Sequence, residues 1–197
     1  MKTTLRTALA AIALIAATVP TMAQDAATKA EMGTIRKAYE RAMQIEKQGK
    51  SDAKPNHQTF ESVTTAPYGT TKYTVDFVFD NSEFVEEIQC NPCVLVLARE
   101  KTDSDVKEYL YNEDGELIFF FMRTKADEQG KYGEFRYYYD KRGPFWKIDR
   151  VFDAKTGKLD SEVSEALNPE VAGTETWYMR PASDLKQAFQ SLNAIYD

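Results

Sequence analysis

The sequence is poor in the residues that carry most enzyme chemistry. Its 197 residues hold one histidine, His57, and two cysteines, Cys90 and Cys93. Ser/His/Asp or Cys/His catalysis would have to use His57, which stands in a polar connector, Lys54 to Thr59, with no nucleophile elbow in the chain. There is no glycine-rich phosphate loop and no H-E-x-x-H pair. Zinc needs four ligands, or three and a water, and this histidine and cysteine set has no recognised ligand spacing. No catalytic residue, metal or cofactor is therefore expected. Basic charge is also in deficit, with 25 Lys and Arg against 31 Asp and Glu. An acidic chain repels phosphate backbones, so nucleic acid is not an expected partner. Carboxylates such as Glu86, Glu87, Asp103, Asp105, Glu113 and Asp114 gather in apparent turns, and nothing selects a pair for glycoside hydrolysis.

Long apolar runs are missing after the first twenty residues. Lys2 and Arg6 precede an apolar run from Thr7 to Val19, Pro20 breaks it, and Ala23 offers a small residue for cleavage. The run is too short to span a bilayer comfortably. Residues 1–23 read as a signal peptide, and residues 24–197 as a single α+β domain. Losing Lys2 and Arg6 takes the net charge from −6 to −8. The expected product is soluble and periplasmic or extracellular, with no membrane insertion after signal cleavage.

What is present is periodicity. Met32, Ile35, Tyr39, Met43 and Glu46 fall at helical spacing, widened by Ala38 and Ala42, which predicts a helix over 28–48 stopped by Gly49. The period then drops to two. Strands are expected over 59–65, 71–80, 94–98, 106–112, 116–124, 133–140 and 144–153. Val94 to Ala98 is apolar on both faces and reads as a central strand. Residues 81–88 are ambiguous, and 160–176 reads as a polar, irregular excursion. Leu185, Ala188, Phe189, Leu192, Ile195 and Tyr196 predict a closing helix over 183–196, with Ser183 as its N-cap.

The turns share a plan. In Tyr111-Asn-Glu-Asp-Gly-Glu-Leu117, Tyr139-Asp-Lys-Arg-Gly-Pro-Phe145 and Phe152-Asp-Ala-Lys-Thr-Gly-Lys-Leu159, an aromatic ends a strand. Asn or Asp opens the turn, and Gly takes the left-handed position. These turns resemble the hairpins of YD-type repeat proteins, though without a regular repeat. Short turns between consecutive strands imply an antiparallel meander of six to seven strands, with the N-terminal and C-terminal helices packed on one face. The whole plan resembles small secreted bacterial proteins of unknown function, a likeness that implies no activity.

Cys90-Asn-Pro-Cys93 has the form of a redox motif, but a reactive thiolate needs a helix N-terminus, and Val94-Leu-Val-Leu97 favours a strand. A local disulfide is the expectation for an exported chain. A loop this short stabilises by about 2 kcal/mol. It also requires a tight turn at Asn91-Pro92, for which a cis proline is one route.

Aromatics are the richer signal, with 13 rings between Tyr109 and Phe152. Phe119 and Phe121 fall on one strand face and Phe120 on the other. Phe135, Tyr137 and Tyr139 likewise oppose Arg136 and Tyr138. Strands aromatic on both faces imply a second sheet face that is not wholly solvated. The favoured reading is an exported binding or interaction protein using an aromatic sheet surface. Tyr109, Tyr111, Tyr137, Tyr138 and Trp146 are the candidate ligand-binding residues, with Trp177 as a possible contributor. The partner would be a small apolar or sugar ligand, or a protein. The alternatives are an envelope thiol–disulfide oxidoreductase using Cys90 and Cys93, and a secreted inhibitor presenting the 90–93 turn.

Overall fold

The computed structural model describes residues 26–49, 56–67, 69–80, 93–168 and 179–193. Helix α1 (Ala26–Gly49) comes first. Eight strands follow: β1 (His57–Ala66), β2 (Gly69–Asp80), β3 (Val94–Lys101), β4 (Asp105–Tyr111), β5 (Leu117–Thr124), β6 (Lys131–Asp140), β7 (Gly143–Asp153) and β8 (Leu159–Ala166). Helix α2 (Met179–Asn193) closes the described chain. The strands form one antiparallel sheet in sequence order, so each pairs with its chain neighbours.

The hairpin chemistry explains the meander. In the β4–β5 turn Gly115 has φ 71°, and its N–H donates to the Asn112 carbonyl at 2.9 Å. Asn112 Oδ1 accepts the Glu116 N–H at 2.8 Å. In the β7–β8 turn Asp153 Oδ1 accepts the Lys155 and Thr156 N–H groups at 3.1 and 2.8 Å. Each Asn or Asp thus satisfies backbone donors that the bend removes from the ladder.

The strand count is eight rather than six to seven, because β8 lies in the region read as irregular. Its only large apolar residues, Leu159 and Val163, are both exposed, so no buried stripe marks it as a strand. It is held instead by its ladder to β7 and by the ion pairs Arg150–Glu162 (2.6 Å) and Lys147–Glu165 (2.9 Å). Charged side chains suit an edge strand, where bare apolar edges invite aggregation.

The helices pack on opposite faces of the sheet, not on one. Ala182, Leu185 and Phe189 of α2 join Phe77, Phe79, Leu95, Tyr109, Tyr111, Phe120, Tyr137 and Tyr139. Met32, Ile35 and Ala42 of α1 join Val78, Leu97, Leu110, Phe119, Tyr138 and Trp146. Adjacent strand residues belong to different cores, as the two-residue period demands. A sheet apolar on both faces needs two covers.

Helix α2 also begins four residues earlier than expected. Ser183 lies inside it rather than capping it, and Asp184 falls beyond the first turn. Pro181 sits in that first turn, where its missing N–H forfeits no helical hydrogen bond. Ile195 and Tyr196 of the predicted helix, and the ambiguous residues 81–88, lie outside the described residues.

Polar contacts fix α1 on its face. Arg99 Nε donates to Glu108 Oε1 at 2.8 Å, and its two terminal nitrogens reach Glu46 at 3.3 and 3.4 Å. Tyr39 Oη donates to Glu108 Oε2 at 2.6 Å. Burial alone would lower the Arg99 pKa, but the hydrogen bonds and charges of Glu108 and Glu46 outweigh it and raise the pKa. Removing one partner strands the other charge in a dry site, a loss of about 3 kcal/mol or more. Arg99→Met is therefore expected to lower unfolding free energy by about 3 kcal/mol in a urea titration, and adding Glu108→Leu to recover only part of that loss, because Glu46 stays stranded and Tyr39 loses its acceptor.

Candidate functional site

Four of the five candidate ring residues have their polar or aromatic edges engaged in packing. Tyr109, Tyr111 and Tyr137 are buried on the α2 side. Tyr109 Oη donates to Glu100 Oε2 at 2.7 Å, and Tyr111 Oη to the Ala182 carbonyl at 2.7 Å. Tyr137 packs on Phe120, their ring centroids 6.1 Å apart. Trp146 is buried on the α1 side, where its Nε1–H donates to Ser164 Oγ at 3.1 Å. Tyr138 differs. It lines an open cleft, and its hydroxyl has no hydrogen bond to a described residue. Trp177 and Cys90 lie outside the described residues, as do Asn91 and Pro92. Cys93 is half-buried against the α2-side core, immediately before β3.

The Tyr138 cleft has a volume of about 370 Å3 and lies between α1 and the sheet. Ile35, Arg36 and Tyr39 of α1 form one wall. Phe119, Phe121, Arg136, Tyr138, Ile148 and Arg150 of β5, β6 and β7 form the floor. The register explains this grouping. Phe121 faces Arg136, which faces Ile148, and one step along, Arg123 faces Glu134, Arg150 and Glu162 in turn. Cross-strand neighbours of opposite charge stabilise such a row.

Rings flank the charged row on both sides. The Tyr138 ring packs on Phe119 with centroids 5.1 Å apart. Arg136 lies over the Phe121 ring at 5.6 Å, and Arg123 over Tyr132 at 4.5 Å. Tyr132 in turn stacks on Phe152 at 5.1 Å, with only 12° between the planes. Phe121, Tyr132, Ile148 and Phe152 are all half-buried. An aromatic sheet surface therefore exists, but it is built mostly from residues other than those selected from the sequence. Two alternations carry its signature: Tyr132-x-Glu134-x-Arg136-x-Tyr138 and Ile148-x-Arg150-x-Phe152.

A second cavity, of about 660 Å3, lies at the other side of Ile35. Ala38, Ala42, Val94, Val96, Leu117 and Ile118 give it apolar walls, and Tyr111 reaches it. Arg41 bridges Asp80 at 2.7 Å and Glu113 at 3.0 Å at its mouth. Asp80 and Val94 in its wall are joined by residues 81–92, which lie outside the described residues.

His57 is half-buried at the start of β1. Its Nε2 lies 3.4 Å from both Thr59 Oγ1 and Asp76 Oδ1, and Thr59 donates to that same carboxylate oxygen at 2.7 Å. Hydroxyl and carboxylate crowd one ring nitrogen, whereas a triad needs them on opposite nitrogens. Among the described residues no three His, Cys, Asp or Glu side chains are placed to hold a metal ion.

The chain matches no protein-family model, no curated protein and no solved structure.

The tyrosines set a distinct alkaline behaviour. Burial raises the pKa of Tyr39, Tyr73, Tyr109 and Tyr111 above the ordinary 10.0, helped by the Glu108 charge at Tyr39 and by Glu100 at the other three. Burial also raises Tyr138, while Arg136, Arg36 and Arg150 pull it back down. A raised tyrosine keeps its proton in the folded chain and loses it sooner in the unfolded one. Its stabilising contribution is full below pH 10 and disappears as pH climbs toward the folded value. Melting temperature is expected to hold steady to about pH 9 and then fall steeply. Phenolate absorbance at 295 nm should rise together with unfolding rather than ahead of it for these four side chains.

Proposed function

We propose that the chain is an exported binding protein that holds a small ring-bearing ligand on the α1-side face of its sheet, at Tyr138, Phe121 and Arg136. The observation that carries this reading is the open aromatic floor beside α1, with a tyrosine hydroxyl left available in it. Flat side chains on a rigid sheet present ring faces at low entropic cost, and stacking on them is worth about 0.5–1.5 kcal/mol per ring pair. The opening of the cleft suits a small molecule, whereas Tyr109, Tyr111, Tyr137 and Trp146 serve to hold the sheet and its covers in place.

Export belongs to the same proposal and rests on residues 1–23. Cleavage after Ala23 would give a mature N-terminus at Gln24. A disulfide between Cys90 and Cys93 fits that compartment. The oxidoreductase alternative has less support, because β3 begins directly after Cys93 and offers no helix N-terminus to hold a thiolate. The inhibitor alternative would act through residues 90–93.

Two experiments test the reading. Terminal sequencing of the exported protein is expected to begin at Gln24; an intact Met1 would contradict export by cleavage. Ligand-observed NMR with a panel of aryl and pyranoside compounds is expected to find saturable binding in which the hits compete with one another. Phe121→Leu keeps apolar volume but loses the flat face, so it should weaken those hits by about threefold to tenfold with little change in melting temperature. Hits unaffected by Phe121→Leu, or no saturable binding at all, would refute the site.

A further inference from the structure

Resting on that reading, we infer that the Tyr138 cleft selects an anion: a single carboxylate carried on a flat apolar ring. Three guanidiniums from three separate elements converge here, Arg36 from α1, Arg136 from β6 and Arg150 from β7. Two of them are already engaged. Arg136 Nη2 meets Glu134 Oε2 at 2.6 Å, and Arg150 Nε meets Glu162 Oε2 at 2.6 Å. Glu134 is shared at 4.0 Å with Arg123, which lies outside the cleft over Tyr132. Arg36 is exposed and makes no ion pair with a described residue. Glu108, which meets Tyr39 of the cleft wall, is taken by Arg99 and Tyr39. Three cations therefore meet two carboxylates, and one positive charge stays unanswered in a chain that is acidic as a whole.

The second observation is independent of charge. Tyr138 is buried, at 8% exposure, and lines the cleft, and its hydroxyl makes no hydrogen bond to a described residue. A hydroxyl at the wall of a cleft can take a ligand oxygen as its hydrogen-bond partner. A ligand carboxylate between Tyr138 and Arg36 would supply it and would accept charge-assisted bonds from the guanidinium. Ile35, Phe119, Phe121 and Ile148 leave an apolar slot for the ring behind it. One surplus charge matches a monoanion better than a phosphate dianion, which would leave negative charge uncompensated in a half-buried site. The acidic surface elsewhere gives no long-range attraction, so recognition is local and short-ranged.

The test titrates the mature protein with 1-naphthoate, its uncharged isostere 1-naphthamide, and inorganic phosphate, followed by calorimetry or ligand-observed NMR. Naphthoate is expected to bind at least about tenfold more tightly than either of the others. Arg36→Ala should weaken naphthoate about tenfold and leave naphthamide unchanged, Arg36→Lys should restore part of the loss, and Tyr138→Phe should weaken naphthoate by about threefold or more. Arg36 is a solvent-facing helix residue, so Arg36→Ala is not expected to disturb folding. Equal binding of naphthoate and naphthamide, both sensitive to Phe121→Leu, would overturn the anion inference and leave the ring site standing. Phosphate binding as tightly as naphthoate would overturn the ring-bearing monoanion. Failure of both naphthyl probes to bind would remove the ring site itself.

Discussion

The Arg99 guanidinium, on β3, is held between Glu108 of the next strand and Glu46 of α1. Both of its carboxylate partners are mostly buried, and its contact with Glu46 ties α1 to the sheet. The next residue, Glu100, points through to the other face, where it receives the hydroxyls of Tyr73 and Tyr109. Two consecutive residues of one central strand thus anchor polar networks in both cores. Low local dielectric strengthens such networks when every member is satisfied and punishes them when one is removed. With α1 held this way, its Tyr39 and Ile35 lie over Phe119, and its Arg36 falls over the open floor of β5–β7.

The candidate site follows from incomplete cover. Helix α1 packs on Val78, Leu97, Leu110, Phe119, Tyr138 and Trp146 of this face, and Phe121, Arg136, Ile148 and Arg150 beside it line the open cleft. Half-buried rings exposed on such a face would be an aggregation risk if they stood alone. Here they alternate with a charged row, Arg123, Glu134, Arg150 and Glu162, that runs across four strands. The row brings guanidiniums beside aromatic planes, Arg123 over Tyr132 and the neighbouring Arg136 over Phe121.

Much of the architecture was legible in the sequence because local rules determine it. The helical stripe from Met32 to Glu46 and the alternation of Tyr73 to Phe79 each report one buried face. The Asn and Asp turns report antiparallel neighbours. What escaped was non-local or polar. Strand β8 is formed by pairing with β7 rather than by burying a stripe of its own. The start of α2 at Met179 depends on tolerance of Pro181 rather than on a Ser183 cap. Burial on both faces was visible in Phe119-Phe-Phe121 and Phe135 to Tyr139, yet the assignment of a helix to each face required the sheet. The site was the least legible part. Tyrosine-rich strands drew attention to Tyr109, Tyr111 and Tyr137, whereas the open floor uses Phe121, Arg136, Ile148 and Arg150. Their convergence with Arg36 depends on cross-strand register and on where a helix more than 80 residues away comes to rest.

The most direct measurement of the central claim is a set of 1H–15N spectra, including arginine Nε–H signals, recorded as 1-naphthoate is added to the mature protein. The account predicts that the largest shifts gather at Arg36, Tyr39, Phe121, Arg136, Tyr138 and Arg150, saturating together with a single binding constant. Shifts centred on α2, or around Arg41, Asp80 and Glu113, would contradict it and move recognition to a different part of the molecule.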